Sequence, residues 1–143
     1  AKEAELYVMD MATKKLDWHA VVFPGVQGYT DMCLAPGGLV YGVADQRRFF
    51  VFDAEKREVV HEEDLSATLG PTTSQQGPRV FVLSPDRKVY MLFGKGIASV
   101  DPDTFRITML AESPVPIGPG GDILDGRIYF GSGSHVYSYG LPQ

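Results

Sequence analysis

Residues 80–108, VFVLSPDRKVYMLFGKGIASVDPDTFRIT, alternate short apolar runs with residues that favour tight turns. The apolar runs are rich in Val, Ile, Tyr and Phe, which are frequent in strands. The SPDR segment at 84–87 predicts the first turn, because Pro fixes φ and Asp can bond to nearby backbone amides. Gly94 and Gly96 predict the second turn, and the DPDT segment at 101–104 predicts the third. The stretch therefore predicts a unit of four short consecutive strands.

Two landmarks of this unit recur along the chain. One is a strand, a turn and a second strand with a tyrosine; the other is an apolar strand that ends in aspartate. The two intervals between the aspartates are 43 and 48 residues, close to the period of about 40–50 residues that four-stranded repeats show. The landmark residues are Tyr41, Tyr90 and Tyr129, and Asp10, Asp53 and Asp101.

The repeat divides a single domain, 1–143, into successive units. A half unit covers 1–22, full units cover 29–62 and 79–111, and a partial unit covers 121–141, in which Tyr139 takes the place of the aspartate. The segment 54–69, AEKREVVHEEDLSATL, is rich in helix formers and has a partial apolar stripe, which leaves a helix open. The repeat favours a strand at 58–62 instead, with at most a short helical turn near 64–69.

The composition argues against several kinds of partner. A net charge of −5 and a pI near 5.1 provide no positive surface for nucleic acid or an anionic membrane, so we expect neither partner. No apolar run reaches the length of a transmembrane helix, and the first residues lack the pattern of a signal peptide. The single cysteine, Cys33, excludes an intramolecular disulfide, and its apolar neighbours predict a buried, unreactive thiol.

Metal and cofactor sites are not expected either. The three histidines show no metal-binding spacing. Asp10, Asp53 and Asp101 could suggest metal ligands, but their recurrence at one position of the unit predicts turn chemistry. We expect each carboxylate to accept hydrogen bonds from backbone amides two residues further along the chain.

Three segments resemble β-propeller repeats of the YVTN, NHL and TolB-like kind, in which a Ser-Pro-Asp turn often precedes an apolar strand with tyrosine. They are SPDRKVY at 84–90, VDPDT at 100–104 and LDGRIY at 124–129. The resemblance covers nearly the whole chain and implies an all-β fold of consecutive four-stranded antiparallel blades, about three and a quarter of them. Known propellers close into rings of about four or more blades. The resemblance therefore implies a partial propeller, completed by the remaining blades of a longer chain or by self-association.

The resemblance also implies where a ligand would bind. In propellers, the loop that enters the first strand of a blade usually faces the central channel and one rim. This implies that Asp31, Arg79 and Asp122, at positions that look equivalent, form a polar ring there. The alternative is that these residues cap the starts of strands and bond to exposed loop amides.

Basic and polar side chains between the second and third strands of each unit form a second candidate group. Arg47, Lys95 and His135 stand out in these loops. By the same resemblance they would line a rim able to bind an acidic sugar or another carboxylate through charge-assisted hydrogen bonds. The alternative is that they are solvated surface residues.

The leading hypothesis for the function is a non-enzymatic scaffold or binding module for a carbohydrate or protein ligand. Such a module suits a bacterial protein that is extracytoplasmic or secreted. The alternative is a segment of a propeller enzyme, similar to lyases or lactonases, whose channel site missing blades would complete. No residue is assigned a catalytic role in the sequence.

Overall fold

The computed structural model describes residues 2–74, 80–118 and 120–143 as a series of antiparallel β-sheets. Within these ranges, the one helical element is a 3₁₀ turn at Pro36–Gly38. No helix in the described part of the chain is long and apolar enough to cross a bilayer. The prediction of an all-β fold is therefore confirmed.

The strands form four sheets, and neighbouring strands in each sheet are consecutive in the chain. The first sheet contains β1 (Leu6–Asp10) and β2 (Lys15–Ala20). The second contains β3 (Tyr29–Leu34), β4 (Leu39–Ala44), β5 (Arg48–Asp53) and β6 (Glu58–Asp64). The third contains β7 (Phe81–Leu83), β8 (Val89–Phe93), β9 (Gly96–Val100) and β10 (Ile107–Glu112). The fourth contains β11 (Gly120–Leu124), β12 (Arg127–Ser132) and β13 (His135–Gly140).

The ambiguous segment at 54–69 forms a strand followed by a turn. Strand β6 pairs with β5 through most of its length, which confirms the strand predicted at 58–62. The amides of Thr68, Leu69 and Gly70 then donate to the carbonyl of Leu65, at 3.2, 2.9 and 3.2 Å. Helix-forming residues in β6 adopt the extended conformation because pairing with β5 outweighs their intrinsic preference.

The turn after the recurring aspartate has the same geometry in the first three sheets. In each turn Oδ1 accepts the amides of the second and third residues after the aspartate, at 2.8–3.0 Å. The fourth residue after it has a positive φ in every case: Lys14 at 58°, Arg57 at 59° and Phe105 at 61°. The predicted turn chemistry is confirmed, and none of these three residues is the glycine that such a φ favours.

Strand register aligns the units and corrects one sequence assignment. Asp53 pairs with Leu39, the first residue of β4, whereas Arg127, the first residue of β12, pairs with Gly140. The assignment of Tyr139 to the aspartate position is therefore wrong by one residue. Tyr139 instead packs against the core between the third and fourth sheets, because residues one apart in a strand face opposite sides.

Each sheet packs on the next through an apolar core. The core between the first and second sheets contains Phe23, Phe50 and Phe52, and a Cβ at Gly42 would lie 2.2 Å from the Phe50 ring. The core between the second and third contains Tyr41, Phe49, Val51, Met91 and Phe93. The core between the third and fourth contains Tyr90, Leu92, Ile97, Ile128 and Phe130. Alternate residues of β5 thus enter two different cores, which explains why its sequence, RFFVFD, is apolar almost throughout.

Candidate functional site

Loops lie together at one end of the strands of the second, third and fourth sheets, and we call this end the loop edge. It consists of the hairpins at 45–47, 94–95 and 133–134 with the connecting segments at 65–74 and 113–118. The Thr72 amide donates to the Gln46 carbonyl at 2.9 Å, and the Ser113 amide donates to the Lys95 carbonyl at 2.7 Å. The connecting segments are therefore held against the hairpins by backbone hydrogen bonds.

Asp31 lies at the start of the second sheet and bonds to the third. Its Oδ2 accepts the amides of Val80 and Phe81 at 2.9 and 3.0 Å, and its Oδ1 accepts the amide of Met32 at 2.9 Å. A carboxylate that accepts three amides forms strong, charge-assisted bonds. Asp31 therefore links two sheets. Its partners in the third sheet lie about fifty residues further along the chain, so the sequence around Asp31 could not predict these bonds.

Asp122 is not equivalent to Asp31, and the assumed equivalence is wrong. Asp31 pairs with Val43, two residues beyond Tyr41, whereas Asp122 pairs with Tyr129 itself. Asp122 is exposed, and its Oδ1 accepts the amide of the following residue at 2.9 Å. Each sheet has a bulge next to its aspartate, but the turn at 125–126 is shorter than the turn at 35–38, and this difference shifts the register of the fourth sheet relative to the second.

The remaining predicted binding residues lie in different places. Arg79 falls in the segment 75–79, outside the described residues. Arg47 pairs with Asp64, while Lys95 is exposed at the mouth of a cleft of about 570 Å³. His135 is also exposed and borders, together with Asp122, an open cleft of about 420 Å³ on the fourth sheet. The structure thus brings Asp122 and His135 together and leaves Lys95 in a separate cleft.

The cleft at Lys95, which we call the Lys95 cleft, lies at the loop edge between the second and third sheets. It is lined by the turn at 66–70, by Lys95 and by Met109, Glu112 and Ser113 of the third sheet and its connector. Its hydroxyls are engaged with the protein: Ser113 Oγ donates to the Val115 carbonyl at 2.6 Å. Among the described residues that line this cleft, Lys95 is the one cationic side chain and Glu112 the one anionic side chain.

Sequence reasoning missed a cleft of about 820 Å³ at the opposite edge, between the third and fourth sheets. Its lining includes Asp86, Lys88, Tyr90 and Arg127. A hydrogen bond from the Ser84 hydroxyl lowers the pKa of Asp86. The positive charge of Lys88, whose Nζ lies 3.5 Å from Asp86 Oδ2, lowers it further. The two turns that form the cleft, SPDR and LDGR, occur at corresponding places in neighbouring units, and this correspondence could have indicated it.

The cysteine and the buried phenol of Tyr29 show no sign of catalytic activation. Burial, and then the charge of Asp31, raises the pKa of Cys33 to about 12. Burial also raises the pKa of Tyr29 to about 12. Cys33 is half-buried and not buried as predicted, but its raised pKa keeps the thiol protonated at neutral pH, which agrees with an unreactive thiol. Within the described ranges, no three His, Cys, Asp or Glu side chains are grouped so that they could hold a metal ion.

Comparison with known proteins adds no family to this description. No protein-family model and no curated protein sequence matches this chain. The case for a function therefore rests on the sheets, clefts and side chains described above.

Proposed function

We propose that this chain is a run of consecutive propeller blades that serves as a non-enzymatic scaffold and binding module. The observation that carries the proposal is the repeated packing of successive sheets. Strands follow one another in order within each sheet, and each sheet packs on the next through an apolar core. Radial repetition of four-stranded sheets is the arrangement of a propeller.

The recurring polar residues support a structural role over a catalytic one. Asp10, Asp53 and Asp101 accept amides of their own turns. Asp31 accepts amides from two sheets. A residue whose polar atoms already accept such bonds is poorly placed to activate a substrate, because general acid–base catalysis needs a group within reach of the reacting proton. Ligand binding in this proposal therefore uses the exposed loops and clefts.

The Lys95 cleft is the proposed binding site, and its ligand is a carbohydrate that carries a carboxylate. Lys95 is exposed there and has no ion-pair partner among the described residues. An ammonium group binds a carboxylate through charge-assisted hydrogen bonds. Glu112 also lines the cleft and favours a ligand with hydroxyl groups, which can donate to its carboxylate. Affinity is expected to be weak, because the cleft is open and one ion pair in solvent contributes about 1 kcal/mol or less.

The test is a nuclear magnetic resonance titration of the nitrogen-15-labelled chain with galacturonate oligosaccharides. We expect amide shifts at 66–70, 94–95 and 109–113 that are absent with neutral galactose oligosaccharides. Lys95→Ala should abolish these shifts, and Lys56→Ala, which removes an exposed lysine from a turn of the second sheet, should leave them unchanged. Shifts that persist in Lys95→Ala, or no shifts in the wild-type chain, would contradict the proposed site.

A further inference from the structure

Apolar side chains are exposed on the outer faces of the first and last sheets. On the first sheet, Tyr7 is 57% exposed and Met9 is 54% exposed; we call this surface the head face. On the fourth sheet, Leu124 is 62% exposed and Val136 is 78% exposed, and with the half-buried Tyr129 they form the tail face. Exposed apolar surface of this kind marks interaction sites.

Residues at the positions of Tyr129 and Val136 are buried in the inner sheets. Val136 pairs with Gly131 as Phe49 pairs with Val43 and Ile97 pairs with Leu92. Phe49 is 0% exposed and Ile97 is 2% exposed. In both inner sheets the next sheet of the chain covers this position. Phe49 lies in the core between the second and third sheets, and Ile97 lies in the core between the third and fourth sheets.

The head face shows the same contrast in the opposite direction. Met9 precedes its recurring aspartate as Phe52 and Val100 precede theirs. Phe52 is 4% exposed and Val100 is 6% exposed. Each of these two side chains packs against the sheet before its own. Met9 is therefore exposed because no preceding sheet packs on it within the described residues.

We propose that a second copy of this chain covers these faces, with the tail face of one copy on the head face of the next. The inference rests on the repeated unit of the proposed function. Inside the chain, the face of each sheet that corresponds to the tail face packs on the face of the next sheet that corresponds to the head face. This occurs at three successive contacts between sheets. The two exposed faces are thus the two halves of a contact that this sequence already forms repeatedly.

Stacking of faces fits the strand count better than pairing of strands. Strand β1 ends at the recurring aspartate, as the third strand β5 does, and the third strand β9 ends one residue before it. The first sheet therefore contains a third and a fourth strand. The fourth sheet contains a first, a second and a third strand. If the first sheet of one copy joined the fourth sheet of another through their edge strands, the combined sheet would have five strands. Two of these would occupy the third position of the unit. Packed face to face, each sheet keeps its own strands.

The size of the faces predicts weak association. A sheet of two or three strands, five or six residues long, presents roughly 200–300 Å² per face. A stable protein interface needs about 800 Å² from each partner. Association should therefore be reversible and depend on concentration. Because head and tail differ, the contact is heterologous and can continue beyond two copies.

The test uses one variant for each face and sedimentation velocity from about 10 µM to about 1 mM protein. Met9→Lys blocks the head face and Val136→Lys blocks the tail face. Both positions are exposed in strands, so we expect the fold to be retained, which circular dichroism would check. The wild-type chain should form dimers and larger species as concentration rises, and each variant alone should remain a monomer.

An equimolar mixture of the two variants gives the decisive result. One intact tail face and one intact head face remain, so the mixture should form a dimer of one copy of each and nothing larger. Val60→Lys, at an apolar position that is 43% exposed in β6 and on neither end face, should associate like the wild-type chain.

Three outcomes would overturn the proposal. These are a wild-type chain that stays monomeric throughout, a single variant that still dimerises, or a mixture that does not associate. The first would assign the faces to blades of a longer chain instead of a second copy. The sugar titration tests the Lys95 cleft, which lies on neither end face, so the two proposals can fail independently.

Discussion

The inner two sheets and the outer two sheets in the described part of this chain share a strand order but differ in what covers them. The second and third sheets have four strands and are packed on both faces. The first and fourth sheets have two and three strands and are packed on one face. The order of strands within a sheet is the same in both groups, so residues at matching positions of doubly paired strands separate the contribution of sheet stacking from that of local structure.

The recurring tyrosine makes this comparison within one residue type. Tyr41 and Tyr90 are 1% and 4% exposed, and the sheet that follows each of them covers its ring. Tyr129, at the matching position of the fourth sheet, is only half-buried. The same side chain on the same strand thus contributes to the core only where another sheet packs on it.

The largest expected effect comes from removing a covered tyrosine ring. Tyr41→Ala should lower the free energy of unfolding by about 3–4 kcal/mol, because it leaves a cavity in the core between the second and third sheets. Tyr129→Ala should cost about 1 kcal/mol or less, since its ring is partly in solvent. Urea unfolding at low protein concentration measures both values. Equal losses for the two variants would contradict the comparison.

The two candidate aspartates differ in the same sense. Asp31→Ala should destabilise the chain by about 2 kcal/mol, because it leaves the amides of the buried Val80 and Phe81 without their acceptor. Asp122→Ala removes one exposed bond and should change stability by about 0.5 kcal/mol or less. The same urea experiment measures both. A stable Asp31→Ala variant would mean that its carboxylate does not link the sheets.

The sequence predicts the local structure of this chain well and its long-range contacts poorly. Alternating apolar residues and Pro, Gly and Asp turns mark the strands, and the repeat identifies β6 as a strand despite its helix-forming residues. The bonds from Asp31 to Val80 and Phe81 could not be predicted, because they depend on how two sheets pack. The equivalence of Asp31 and Asp122 failed because a shorter turn at 125–126 shifts the register without changing the motif.

Acid titration compares the same turn in an outer and an inner sheet. Hydrogen bonds from backbone amides of the turn lower the pKa of both aspartates. The main cause is the amide of Thr13 for Asp10 and the amide of Thr104 for Asp101. Both should titrate below the ordinary value of about 4, as followed by carbon-13 shifts of the carboxyls.

The sign of the pH dependence follows from that lowered pKa. A carboxyl with a lowered folded-state pKa stabilises the fold above its unfolded value, and this contribution is lost as pH falls through the folded value. Stability from these turns should therefore be constant at neutral pH and decline below about pH 4. A lowered pKa for Asp101 alone would mean that the turn needs a covered sheet.

The smallest expected effect is a gain in the turn of the first sheet. Lys14→Gly relieves a left-handed φ that costs about 1–2 kcal/mol and adds the backbone entropy cost of glycine, about 0.5–1 kcal/mol. The net result should be a stabilisation of about 0.5 kcal/mol. Phe105→Gly, at the matching position of the third sheet, should instead destabilise, because Phe105 packs on the core at 6.0 Å from the Tyr41 ring. Thermal unfolding of the two variants compares them.

Residue-resolved hydrogen exchange of the wild-type chain, at a concentration low enough to keep it monomeric, tests whether stability depends on the stacking of sheets. We expect the slowest exchange in β5, β8 and β9, with slow amides at Val80 and Phe81, which donate to Asp31. Exchange should be faster in β12 than in β4 and β8, because all three are second strands paired on both sides and only β12 belongs to a sheet packed on one face. Protection in β12 equal to that in β4 and β8 would contradict this expectation, because stability would then not depend on the stacking of sheets.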